Sequence, residues 1–188
     1  MITITFFFWT FVVVFAVVGA MRGWAQELLV AFSIILGLFI ITVLGLVPVV
    51  KDMVGVGFVN ENGNPIGGLP ATAFYIRTTI IIALTFFGYQ TPRIQSKRIQ
   101  AATTRSGRMQ DTILGIIVGG VNGYLVVGTL WFFLIQAEYF LGFVDAPSGA
   151  NAEAANRIVE LLPPMLLNGN AVYFAVALAF AFVVIVLL

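Results

Sequence analysis

TITFFFWTFVVVFAVVGAMRGWAQELLVAFSIILGLFIITVLGLV, residues 3–47, carries two charges, Arg22 and Glu27, in a stretch that is otherwise almost continuously apolar. A membrane span takes roughly 20 mostly apolar residues. The stretch therefore reads as two consecutive spans, 3–21 and 25–47, joined by the hinge Gly19-Ala-Met-Arg-Gly-Trp-Ala-Gln-Glu27. Charges in such a place are costly unless they lie near an interface, pair with each other, or find a partner elsewhere. The hinge thus points to a bilayer and marks where the chain departs from hydrophobic filler.

The remaining composition agrees. Of 188 residues, 61% are hydrophobic and 9% charged, against about 25% charged in soluble domains. So few charges cannot cover a globular surface. Cys and His are both absent, which excludes disulfides, ordinary zinc sites, thiol catalysis, His acid–base chemistry and His ligation of haem or chlorophyll. No phosphate loop, metal cluster, Ser-Lys or Ser-Asp dyad or other nucleophile motif is present, so a non-enzymatic protein without cofactor or metal is expected. The net charge of +1 indicates no nucleic-acid partner.

Three further segments have spanning length, 71–90, 112–135 and 171–188. The prediction is an all-α, polytopic transmembrane helix bundle of about five spans. Val18-Gly19-Ala20 resembles a signal-peptide cleavage site, but the first segment lacks a basic flank and its apolar run exceeds the usual length, so it reads as a retained span. Arg22 lies in the first connection, and Arg93, Lys97, Arg98, Arg105 and Arg108 lie in the third. The second connection holds Lys51, Asp52 and Glu61, and the fourth holds Glu138, Asp145, Glu153, Arg157 and Glu160. Basic residues cluster in alternate loops, which by the positive-inside rule puts the N-terminus outside and the C-terminus in the cytoplasm.

Three regions follow: a four-span membrane core at 1–135, an external loop with an amphipathic interfacial helix at 136–170, and an additional C-terminal helix at 171–188. Within the outer loop 48–70, Asn62-Gly63 is a turn signal suited to a small hairpin. Segment 148–162 reads as a helix capped by Ser148 or Asn151, with Ile158, Leu161 and Leu162 on one face and Pro163-Pro164 as its stop. The basic stretch Arg93–Arg108 is expected on an anionic inner leaflet.

Segment four contains Asp111-Thr-Ile-Leu-Gly115-Ile-Ile-Val-Gly119-Gly-Val-Asn122-Gly123. Gly115, Gly119 and Gly123 line one stripe of a helix and let another backbone approach closely. That neighbour is either another segment of this chain or another subunit. Asp111 begins the predicted helix and reads as its N-cap, or as a third member of a group with Arg22 and Glu27. Those two are five residues apart, a poor spacing for a pair on one helix face. Asn122 is a mid-membrane amide suited to hydrogen-bonding between helices. Arg77, six residues into segment three, is expected to snorkel to the outer headgroups, with Glu138 as its ion-pair candidate. Ser33, Thr42, Thr78, Thr79 and Thr85 are span hydroxyls of the kind that bond back to their own helix.

Two of these motifs carry a resemblance. Gly19-x-x-Arg22-Gly23-Trp24-x-x-Glu27 and Asp111-x-x-Leu114-Gly115-x-x-x-Gly119-x-x-x-Gly123 resemble signatures of the CvpA (colicin V production protein) family of bacterial inner-membrane proteins, over roughly residues 1–135. Asn122 stands where that family usually has Arg, and segment 171–188 exceeds its usual four spans. The resemblance implies a multi-pass bacterial inner (plasma) membrane protein linked to production or export of a secreted toxin and to envelope upkeep. It implies no settled biochemical activity. From the residues, three readings stand: a scaffold or assembly element contacting lipid and other helices or subunits through its glycine face, a small oligomeric channel or transporter lined by Asn122, Arg77 and the hydroxyls, or an accessory subunit of a photosynthetic or respiratory complex.

Overall fold

A computed structural model describes residues 4–90, 105–142 and 144–187. The apolar segments form helices α1 (Ile4–Arg22), α2 (Trp24–Leu46), α4 (Ala71–Tyr89) and α5 (Arg105–Gln136), each long and apolar enough to cross a membrane. Short helices α3 (Lys51–Val54), α6 (Ala150–Val159) and α7 (Pro163–Leu166) lie in the connections, and α8 (Asn170–Leu187) ends the described chain. The fifth apolar segment is thus helical, but its apolar stretch, Asn170–Ile185, is shorter than the other four. Among the described residues there is no strand, only an isolated antiparallel bridge between Val59 and Pro65.

The four long helices are assembled around α5. Its contact with α1 is the most extensive among the described helices; α2 packs on both α4 and α5, and α8 packs chiefly on α2. The α8 contact is aromatic, with Phe32 and Phe182 at 5.5 Å and Phe39 and Tyr173 at 5.8 Å between ring centres. Ile34, Leu38, Ile81, Phe132 and Phe133 are buried where the helices meet. Much of α1 and α8 presents Phe, Val and Leu outward, as surfaces bathed in hydrocarbon do. By fold class the chain is an α-helical membrane protein.

At the end away from the Gly23 hinge, the 55–69 connection folds as its turn residues dictate. Gly63 takes φ +77°, and the Asn60 side chain accepts from the backbone N–H groups of Asn62 and Asn64 at 3.0 Å. Segment 148–162 departs from expectation in detail. Helix α6 starts after Gly149 with no side-chain cap and ends at Val159, and the two prolines open α7 instead of closing α6. Proline suits the first helical turn because its missing N–H would be unsatisfied there. The apolar edge of α6 packs on the protein core, where Ala155 is fully buried and Ile158 and Val159 lie against it. Of the basic stretch 93–108, residues 93–104 lie outside the described residues, and with them most of its expected contact with an inner leaflet.

Candidate functional site

The hinge is a true break. Gly23 has φ 85° and ψ 157°, a conformation open to glycine that L side chains rarely adopt. Its N–H closes α1 on the carbonyl of Gly19 at 2.9 Å, and its own carbonyl starts α2 by accepting from Glu27 at 3.3 Å. Arg22 and Glu27 therefore belong to different helices, and their separation of five no longer decides their geometry. Arg22 Nη1 donates to Glu27 Oε1 at 3.0 Å. The pairing disfavoured by single-helix spacing forms because the backbone turns between the two residues.

Glu27 is 0% exposed, and Arg22 remains 18% exposed at the side chain. A buried carboxylate needs more than one partner to offset its desolvation, and here it has three. Besides Arg22, Asn122 Nδ2 donates to Oε2 at 2.7 Å and the Tyr89 hydroxyl donates to the same oxygen at 3.2 Å. Asn122 Nδ2 also reaches the Glu27 backbone carbonyl at 2.8 Å. Arg22 in turn donates to the Tyr89 carbonyl at 3.1 Å and lies 4.4 Å from the centre of the Tyr89 ring. One cluster thus ties α1, α2, α4 and α5 together, with Asn122 as its cross-link.

Asp111 is not the N-cap of its own helix. Helix α5 already runs from Arg105, which leaves Asp111 nearly two turns inside it. Its carboxylate instead serves another helix: Oδ1 accepts from the backbone N–H of Trp24, the first residue of α2, at 3.4 Å. Gly23, the N-cap residue of α2, has no side chain to do this, and a Cβ there would stand 2.6 Å from Asp111 Oδ2. Asp111 caps α2 from across the interface, where a carboxylate also favours the positive end of the helix dipole. It joins Arg22 and Glu27 at the hinge through the backbone. Among the described residues the ion pairs are Arg22–Glu27 and the exposed Arg157–Glu153, so Asp111 is not a third ionic partner.

The glycine stripe is occupied within the chain. A Cβ on Gly119 would stand 2.9 Å from the Cα of Gly19, and one on Gly123 would stand 2.9 Å from the Cα of Val12. Gly115 meets the Gly19 carbonyl closely and lies against Gly23. Helix α1 fills the seam, which lets the two backbones touch at all three glycines, over about two turns.

Arg77 forms a second cluster at the other end of α4. It is 1% exposed and does not snorkel. Its Nε donates to the Val54 carbonyl at 2.6 Å, Nη1 to Gln136 Oε1 at 2.6 Å and Nη2 to the Gly57 carbonyl at 3.1 Å. The Phe58 and Phe133 rings flank it at 5.3 and 5.7 Å. Gln136 extends the network, donating to the Phe58 carbonyl at 3.0 Å while its own carbonyl accepts from Leu69 at 2.8 Å. The guanidinium pins the 54–69 connection to the bundle through neutral acceptors and aromatic faces. Glu138 is not its counter-ion. It lies on an exposed turn near Gly67.

That turn is strained: Glu138 and Tyr139 both have φ +54°, costing about 1–2 kcal/mol per non-glycine residue. Trp131 Nε1 donating to the Tyr139 hydroxyl at 3.1 Å helps hold it. Burial pushes the Tyr139 phenol above its ordinary pKa, opposed by the Trp131 bond. An apolar groove of about 230 Å³ opens beside the turn, between α1 and α4 with α5 as its floor. The exposed charges at this end are Lys51 and Arg157 against Asp52, Glu61, Glu138, Asp145, Glu153 and Glu160, two basic and six acidic.

Four hydroxyls, Thr10, Ser33, Thr42 and Thr85, bond back to the carbonyl four residues earlier, as expected for Ser33, Thr42 and Thr85. Thr78 and Thr129 do not: their buried oxygens, like Asn122 Oδ1, have no hydrogen-bond partner. Sequence reasoning missed Tyr89 and Gln136. Gln136 had a signal, since Asn122, Thr129 and Gln136 recur every seven residues on α5 and all three are buried.

These features define a polytopic helical membrane protein whose buried charged groups, Glu27 and Arg77, are held by partners from its own spans and connections. No family model, curated protein or solved structure matches the chain.

Proposed function

We propose that this protein is a non-enzymatic membrane scaffold or assembly element of CvpA-like type, in a bacterial inner membrane with its N-terminus outside. The observation that carries the reading is the meeting of the two signature motifs. Gly19, Arg22, Gly23 and Glu27 face Gly115, Gly119, Asn122, Gly123 and Asp111 across a single α1–α2–α5 junction. Residues that recur as two separate motifs then serve one purpose, a rigid joint. Asn122 stands where the resembled family usually has Arg, which removes a charge, and it donates to Glu27. The resemblance links such a protein to toxin production or export and to envelope upkeep.

The alternative of a small oligomeric channel is supported less well. Polar pore-lining groups must face water, whereas Asn122, Thr129, Gln136 and Arg77 are 0–1% exposed. With its glycine seam filled by α1, the chain has outward apolar faces left, those of α1 and α8 among them, to meet other subunits, including those of a respiratory or photosynthetic complex. Purification from native membranes in mild detergent tests the reading. Other chains should co-purify, and liposomes holding the protein alone should show no ion flux. Isolation as a lone homo-oligomer that conducts ions would overturn it.

A further inference from the structure

We propose that the groove between α1 and α4 holds one acyl chain of an amine-headed, phosphatidylethanolamine-type phospholipid from the leaflet at the acidic end of the bundle. The groove runs along spanning helices: Phe7 and Phe8 come from α1, Phe74 from α4, and Val127, Trp131 and Leu134 from α5. It opens sideways between α1 and α4, where hydrocarbon surrounds a membrane protein. Its volume of about 230 Å³ is below the 300–1,000 Å³ usual for compact small-molecule sites, and suits a length of slender chain.

The lining offers a ligand no hydrogen bond. Thr78 is its one hydroxyl residue, and that oxygen is itself buried. The Trp131 N–H is taken by Tyr139. A ligand with a polar ring or hydroxyl would lose its hydrogen bonds there, whereas an acyl chain has none to lose.

The headgroup is selected by charge. The strained Glu138–Tyr139 turn, just ahead of the groove-lining Leu141, presents an exposed carboxylate. Counting Glu138, the same end of the molecule has six exposed acidic side chains against two basic ones. Such a surface repels a headgroup with net negative charge and attracts an ammonium group, an effect that salt weakens.

The full chain in nanodiscs, offered photoactivatable phospholipids with a diazirine near the acyl terminus, tests this. The ethanolamine probe should label peptides containing Phe7, Phe8 and Trp131 several-fold more strongly than the glycerol-headed anionic probe. Val127→Trp, which fills the groove, should reduce that labelling to background. Undiminished labelling in folded Val127→Trp overturns the proposal, as does equal or stronger labelling by the anionic probe. Glu138→Lys lies on an exposed turn and decides the matter even if Val127→Trp does not fold. It should shift the ratio toward the anionic probe, and an unchanged ratio overturns the selection by charge.

Discussion

Asn122 on α5 holds Glu27 on α2 twice with one nitrogen, at 2.7 Å to the carboxylate and 2.8 Å to the backbone carbonyl. A side-chain and a main-chain acceptor of the same residue are thereby fixed together, so the amide sets both the position of α2 and the orientation of its carboxylate. Hydrogen bonds between spans are worth less than their burial suggests, because the unfolded chain in the membrane also finds partners. The double attachment to a charged group puts this one toward the upper end.

Asn122→Leu should therefore destabilise the bundle by about 1–2 kcal/mol. Asn122→Asp should cost more, since it sets a second carboxylate against the first. Reversible unfolding in bicelles, followed by Trp fluorescence, measures both. A variant order with Asp more stable than Leu would contradict the assigned contact.

The α1–α5 seam separates two adjacent glycines. A Cβ on Gly119 would meet the Phe15 carbonyl and stand 2.9 Å from the Cα of Gly19, whereas one on Gly120 would meet the Ala16 Cβ at an ordinary 3.7 Å. Gly119→Ala should cost about 1–3 kcal/mol through overpacking against backbone. Gly120→Ala should be neutral or gain up to about 1 kcal/mol from helix propensity. The same unfolding assay compares them, and equal effects would mean the helices do not pack in this register.

Much of this was legible in the chain. Hydropathy located every long helix among the described residues, because a spanning segment must satisfy its backbone internally and be apolar throughout. The stripe Gly115, Gly119, Gly123 announced a close helix contact, and the hinge charges announced a polar joint. Hidden were the features that depend on where the backbone turns. Spacing made Arg22 and Glu27 look mismatched because it assumes one continuous helix, and Gly23 ends that assumption. Asp111 looked like a helix start because the polar stretch before it hides that α5 runs back to Arg105. Arg77 looked destined for the headgroups, but carbonyls from a connection with no periodic pattern close over it. Sequence periodicity reports on faces of helices and is silent about loops that fold back onto them.

The role of Asp111 can be separated from that of Glu27. Asp111 accepts from the Trp24 N–H at 3.4 Å, whereas Arg22 bonds Glu27 directly at 3.0 Å. In double-mutant cycles, Arg22→Gln with Glu27→Gln should show clear coupling. Arg22→Gln with Asp111→Asn should be near-additive, within about 0.5 kcal/mol. A larger coupling in the Asp111 cycle would restore it as an ionic partner of Arg22.

Arg77 gives the most local prediction. Its three donors hold Val54, Gly57 and Gln136, so the residue acts on the 54–69 connection more than on helix packing. Arg77→Met keeps much of the apolar stem but leaves three acceptors without their donor, and a buried acceptor so stranded costs about 1–3 kcal/mol. Arg77→Lys keeps the charge, but a single ammonium lacks the planar fork that reaches three separate acceptors. Hydrogen exchange in nanodiscs should therefore rise over residues 54–69 in both variants, more in Met than in Lys. Exchange around Gly23 and Glu27, at the opposite end of the bundle, should stay unchanged. If the hinge loosens as much as the 54–69 connection, Arg77 is supporting the whole bundle and its assignment as a local clamp is wrong.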